Sequence, residues 1–176
     1  MKQLKLILAT ITVSLFFLSF NTDNQKPTVG LEAGNKAPVF QTELIDGTPF
    51  NLKDLQGKMV LLNFWASYDA QSRMNNYYLN ALHETYQTQN FHNGQEFVVV
   101  SISLDRFKAP LNLAIEQDET MGFMHICNFM GANGSISKMY NIKEPINILI
   151  DGEGRIVNKD VEYSTIEKSL AFLSAI

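Results

Sequence analysis

The sequence predicts an α/β domain in which a central mixed β-sheet is flanked by helices, and three observations carry that expectation. Met59–Trp65 is a nearly unbroken apolar run and Glu96–Leu104 a run rich in β-branched residues; neither has a helical period, as suits strands covered on both faces. Between them, Met74, Tyr78, Leu82 and Tyr86 recur every four residues with polar residues on the other side, which is the pattern of a long helix. Near the C-terminus, Ile146–Ile150 and Arg155–Val157 flank Asp151-Gly152-Glu153-Gly154, a hairpin turn. The first two strands, separated by a helix, are expected to pair in parallel, and the hairpin makes the sheet mixed.

The remaining elements follow in order. Lys2 and Lys5 precede an apolar segment, Leu6–Phe20, that is too short for an ordinary bilayer span and is laid out as an export signal, cleaved or kept as an anchor. No cysteine lies near it, which excludes a lipoprotein signal. Residues 21–35 (NTDNQKPTVGLEAGN) read as a tether, and 36–176 as one domain. Ala37–Leu44 reads as an edge strand closed by an Asp46-Gly47 turn, and Asn51–Leu55 as a short helical turn stopped by Gly57. Asp69 is placed to cap the long helix by accepting backbone N–H bonds from about Gln71 and Ser72. Pro110 fits the first turn of a further helix running to about Gln117. Met124–Phe129 reads as a short strand, Ile136–Tyr140 as a short helix, and Ser164 as the cap of a final helix to Ile176 with Ile166, Leu170 and Leu173 inward.

Charge and cysteine content bound the function. The chain carries a net charge of −4 and no basic stripe, so nucleic acid is not an expected partner. An exported chain with one cysteine, Cys127, holds no internal disulfide and depends on its apolar core, which 45% hydrophobic residues can supply.

The segment from Phe64 to Arg73, FWASYDAQSR, resembles without gaps the FWASWCPPCR-type motif of the TlpA/ResA-type thiol–disulfide oxidoreductases, thioredoxin-like proteins of the redoxin group. The segment GNKAPVFQTELIDGTPFNLKDLQGK is similar to that family's N-terminal hairpin and short helix, the helix around Pro110 to its inserted helix, and YNIKEPINILIDGEGRIV to its run around a cis-proline. The likeness thus covers most of the chain after the leader. It implies a thioredoxin-like fold in which Pro145 is cis and faces the helix N-terminus, in the periplasm or cell envelope of a bacterium. The family's two redox cysteines fall on Asp69 and Ser72. Dithiol exchange needs a thiolate to attack and a second thiol to resolve the mixed disulfide, and neither a carboxylate nor a hydroxyl can replace them.

The candidate residues each have a plain alternative. Asp69 either keeps the old thiolate position anionic or serves only as a helix cap. Glu144, next to Pro145, would bring a second carboxylate near Asp69, a pair able to share a proton or hold a cation, yet no further ligands accompany them and no metal site or cofactor is expected. His125 and Cys127 alternate onto one strand face, but two ligands make no metal site, and a buried thiol packs as a small hydrophobe. Trp65, Tyr68, Tyr77 and Pro145 either line a groove for an extended client or pack in the core. His83 and His92 are expected to face solvent.

These readings converge on a redox-inactive binding module that holds a protein or extended peptide in a groove formed by Trp65, Tyr68, Asp69, Ser72, Glu144 and Pro145. It would meet a membrane only through an uncleaved N-terminal segment. The alternatives are thiol oxidoreductase or peroxidase-like chemistry at Cys127, and hydrolysis using Asp69, Ser72 and a histidine.

Overall fold

The computed structural model describes residues 28–174, so the expected leader, most of the tether and residues 175–176, to which the final helix is expected to run, lie outside the described residues. The apolar run of β3 (Lys58–Trp65) becomes the central strand. It pairs in parallel with β5 (Gly94–Ser103) and antiparallel with β7 (Ile146–Ile150). β8 (Ile156–Lys159) extends the sheet beside β7, while β4 (Asn90–Phe91) and β6 (Met124–Ile126) both pair with β5. This six-stranded mixed sheet is the one the sequence predicts, except that β4 carries too few residues to show a period.

Alternation along β3 sends its side chains to two different cores. Val60, Leu62 and Phe64 pack with Ile102, Ile148 and Tyr140 on one face. Met59 and Leu61 pack with Phe97, Val99 and Leu149 on the other, under Leu79 and Leu82 of α1 (Ala70–Tyr86) and Ile166 and Leu170 of α4 (Tyr163–Leu173). The first face is covered by α3 (Ser135–Met139) and by a separate hairpin of β1 (Gln41–Glu43) and β2 (Pro49–Asn51), which a 3₁₀ turn, Leu52–Leu55, follows. The inserted helix α2 (Lys108–Gln117) has Pro110 in its first turn, as expected, and buries Leu111, Ala114 and Ile115 against Trp65.

Several boundaries differ from the sequence reading. The edge strand is three residues long, because Pro38 has no N–H to donate and the Ala37 N–H is taken by the Gly154 carbonyl. Residues 28–35 of the expected tether are not free: the Gly34 N–H donates to the Ile156 carbonyl of β8, and Leu31 packs on the core. α4 is capped by Glu162 rather than Ser164, which lies inside the first turn, and the cap makes no side-chain hydrogen bond. The β7–β8 turn sits where expected. A Cβ on its Gly152 would stand 2.3 Å from the Asn93 carbonyl oxygen, so the close approach of the β4–β5 turn requires glycine.

Candidate functional site

β3 ends at Trp65, and four residues carry the chain into α1. The Asp69 carboxylate accepts the Ser72 N–H at 2.7 Å, the expected cap. Ser72 is buried, and its Oγ accepts the Ala66 N–H at 3.4 Å. The turn is held from below by Asp105 at the end of β5. This buried carboxylate accepts the Ser67 N–H at 2.9 Å, the Ser67 hydroxyl, and the Ser103 hydroxyl at 2.7 Å. Three hydrogen bonds let a carboxylate stay buried without a cation. Positions 69 and 72 therefore hold a capping carboxylate and a hydroxyl turned inward, and no histidine is among Ser72's hydrogen-bond partners.

The other proposed groove residues are divided. Trp65 is fully enclosed against α2 and presents no surface, because the last residues of β3 are still covered by that inserted helix. Tyr68 and Tyr77 are 77% and 71% exposed. Glu144 and Pro145 are exposed. The described residues contain no cis peptide bond, so Pro145 follows a trans bond, contrary to the expectation. With both residues exposed, no packing opposes the intrinsic trans preference of about 0.5–1 kcal/mol. Pro145 does face the first turns of α1, across a cleft of about 730 Å³ that Gln71 and Asn75 also border.

Half of the apolar stripe read along α1 is displaced, while Leu82 is buried and Tyr86 packs on the core as expected. Met74 and Tyr78 are exposed, and the buried face runs through Ser72, Asn76, Leu79 and Leu82. Its polar half covers a polar row in the sheet. Asn147, Asn63, Ser101 and His125 stand opposite one another in register across β7, β3, β5 and β6. Asn63 donates to the Asn76 side chain at 3.1 Å, and Asn76 donates to Asp118 at 2.9 Å. Asp118 also accepts the Arg73 guanidinium at 2.7 and 2.6 Å, which ties α1 to the end of α2. One signal for this row was present in the sequence, polar residues inside the apolar strand runs, but only the register aligns these four.

His125 and Cys127 are not joined in a site. The His125 Nε2 lies 2.7 Å from the Thr120 carbonyl oxygen, whereas Cys127, past the end of β6, donates to the Asp105 carbonyl at 3.5 Å. Among the described residues no group of three or more metal-ligating side chains occurs. Burial pushes the Cys127 thiol above its ordinary value, opposed in part by the Phe129 N–H. The thiol borders a cavity of about 660 Å³ between β1 and α2. His92 is exposed as expected, but His83 is half-buried, its ring 5.5 Å from that of Phe123.

Burial holds both His83 and His125 below the ordinary 6.5. The unfolded chain then binds more protons than the fold once the pH drops below that value, so stability is full above about pH 6.5 and falls as the solution is acidified. Denaturant unfolding between pH 7.5 and 5.5 should show the loss, up to about 1.4 kcal/mol per pH unit for each histidine. The His125→Gln variant should show a shallower slope, and an unchanged slope would overturn the assignment.

A parallel β3–β5 pair, an antiparallel β7–β8 hairpin and a capped helix springing from the end of the central strand define a thioredoxin-like fold, here with one cysteine. Residues 32–172 match the Redoxin family model, and the chain belongs to that family. It is 26% identical over 172 residues to a thiol-disulfide oxidoreductase ResA of Bacillus cereus, covering 97% of this chain and 91% of the relative. Among solved structures, the thioredoxin domain of a thiol-disulfide oxidoreductase from Bacteroides vulgatus superposes with a TM-score of 0.68 at 27% identity, covering 80% of this chain and 99% of that one. A thiol-disulfide oxidoreductase from Bacteroides fragilis gives 0.67 at 27% identity, covering 78% and 98%.

Proposed function

We propose that this protein is an exported thioredoxin-fold binding module without dithiol activity, which engages an extended polypeptide on the surface carrying Tyr68, Asp69, Tyr77, Glu144 and Pro145. The observation that carries the reading is the state of positions 69 and 72, a capping carboxylate and a buried hydroxyl where the family's chemistry needs two thiols. Two largely exposed tyrosines beside that helix start support a contact surface, since an aromatic ring with a polar tip gives large contact area at low entropy cost. Export is supported by the basic and apolar leader; no helix among the described residues is long and apolar enough to cross a membrane.

The test pairs two assays on the purified protein. Insulin reduction should stay at background, and a reduced, carboxymethylated polypeptide should bind saturably, with Tyr68→Ala and Tyr77→Ala each weakening it by about fivefold or more. Turnover by the wild type, or binding that ignores both tyrosines, would overturn the reading.

A second reading, one-cysteine chemistry at Cys127, is favoured by the cavity its thiol borders and opposed by the raised thiol pKa. Alkylation of the native protein at pH 8 should run about tenfold or more slower than that of the unfolded chain. Equal rates would make Cys127 the residue to mutate.

A further inference from the structure

The hairpin of β1 and β2 has one edge that the fold leaves open. The Leu44 N–H donates to the Thr48 carbonyl at 2.9 Å and the Leu52 N–H to the Phe40 carbonyl at 3.1 Å, and the register sets Thr42 opposite Phe50 between them. Hydrogen-bonded pairs alternate along an antiparallel ladder, so Phe40, Thr42 and Leu44 turn their backbone N–H and C=O groups toward β2. Those of Gln41 and Glu43 turn the other way, and among the described residues nothing pairs with them. Other edges are closed or blunted: Gly34 and Asn35 pair with Ile156 of β8, and Pro49 leaves the outer edge of β2 without a donor at that position.

The groups on the open edge can be reached, since Gln41 and Glu43 are both exposed. One step further along the same edge, the Ile45 N–H donates to the His125 carbonyl of β6 at 2.9 Å, so the edge already forms one ladder step. Beyond it the cavity of about 660 Å³ separates Gln41, Glu43 and Leu44 from Lys108, Cys127 and Phe129. Donors and acceptors alternating at strand spacing are matched by a second extended backbone. Glu43 and Lys108 put opposite charges on the two walls, and neither takes part in an ion pair among the described residues.

We propose that β1 is a docking edge, to which an extended segment of a partner polypeptide adds as a further strand. The segment exchanges backbone hydrogen bonds with Gln41 and Glu43 and lies in the cavity, with a basic side chain beside Glu43 and an acidic one toward Lys108. This contact goes beyond the surface carrying Tyr68 and Tyr77 and does not depend on it.

The test is hydrogen exchange and an NMR titration on the isotope-labelled full chain. In the free protein the Gln41 and Glu43 amides should exchange about tenfold or more faster than those of Thr42 and Leu44. The probe is a capped seven-residue peptide in which three valines alternate with threonine, lysine, glutamate and threonine. It should shift the Gln41 and Glu43 amides and slow their exchange by about tenfold or more at saturation. Two analogues, N-methylated either at the valines or at the lysine and glutamate, each block one edge of the peptide strand. One should bind about tenfold or more weakly than the parent and the other should match it. Glutamine in place of both charged residues should weaken binding about threefold, and less in high salt. Glu43→Pro removes an outward donor at a position an edge strand tolerates and should weaken binding about tenfold; if this variant fails to fold, the N-methylated pair decides. No binding at millimolar peptide, equal binding of both analogues and the parent, or unshifted Gln41 and Glu43 amides overturns the proposal. Protection of those two amides that rises with protein concentration alone assigns the edge to a second copy and overturns it as well. Tyr68 and Tyr77 variants that leave polypeptide binding unchanged would overturn only the reading of their own surface.

Discussion

Insulin reduction by the double variant Asp69→Cys, Ser72→Cys is expected to rise about tenfold or more above the wild-type background when dithiothreitol is present. The two positions are the cap and the third residue of α1, and their backbones are already joined by the 2.7 Å bond from the Ser72 N–H to Asp69. Residues three apart on a helix bring their β-carbons about 5–6 Å apart, within the adjustment a disulfide needs. A thiol at position 69 inherits the helix N-terminal field, which lowers thiol pKa values and so increases the attacking thiolate. It attacks an insulin sulfur to form a mixed disulfide, the thiol at 72 displaces the second insulin thiolate, and dithiothreitol reduces the resulting intramolecular disulfide. Loss of the aspartate cap costs about 1 kcal/mol, too little to unfold a domain with these cores. A folded double variant that stayed at background would show that more than two sulfurs separates this chain from its relatives.

Asp118→Ala is expected to destabilise the protein by about 3 kcal/mol, near the lower end for breaking a buried pair. The Asp118 side chain is 8% exposed, whereas its partner Arg73 is 29% exposed and recovers some hydration when released. Asn76 recovers less, because it is buried and loses its acceptor. In thermal unfolding this corresponds to a midpoint lower by about 6–12 °C. The surface pair Arg155–Glu153, with side chains 38% and 60% exposed, is the control: Glu153→Ala should change stability by less than about 0.5 kcal/mol. A loss below about 1 kcal/mol for Asp118→Ala would mean that the network positions α1 without stabilising it.

The elements that were legible in the sequence are those whose information is local. Met59–Trp65 reads as a strand because its composition suits a doubly covered sheet, and Asp69 reads as a cap because a short carboxylate before a helical period has one obvious role. The Asp151–Gly154 turn and the first-turn Pro110 are of the same kind. The absence of a thiol from positions 69 and 72 needs only the sequence, and so does the constraint it places on chemistry.

Tertiary structure decided which side of each element is used. Trp65 looks like a groove residue in an aromatic motif, but α2, more than forty residues later, lies over it. Met74 and Tyr78 form a helical stripe in the sequence, yet α1 turns Ser72 and Asn76 inward, because the sheet beneath offers Asn63 and the adjoining end of α2 offers Asp118. The isomer of the Glu144–Pro145 bond and the cap of α4 depend on surroundings that a local pattern does not carry. Asn147 is the clearest case: one polar residue in an apolar strand means little alone, and only strand register sets it beside Asn63 while the packing of Val161 leaves its oxygen buried without a partner. Spacing along a chain sets periodicity, but which partner a side chain meets is fixed by strand pairing and by contacts far apart in sequence.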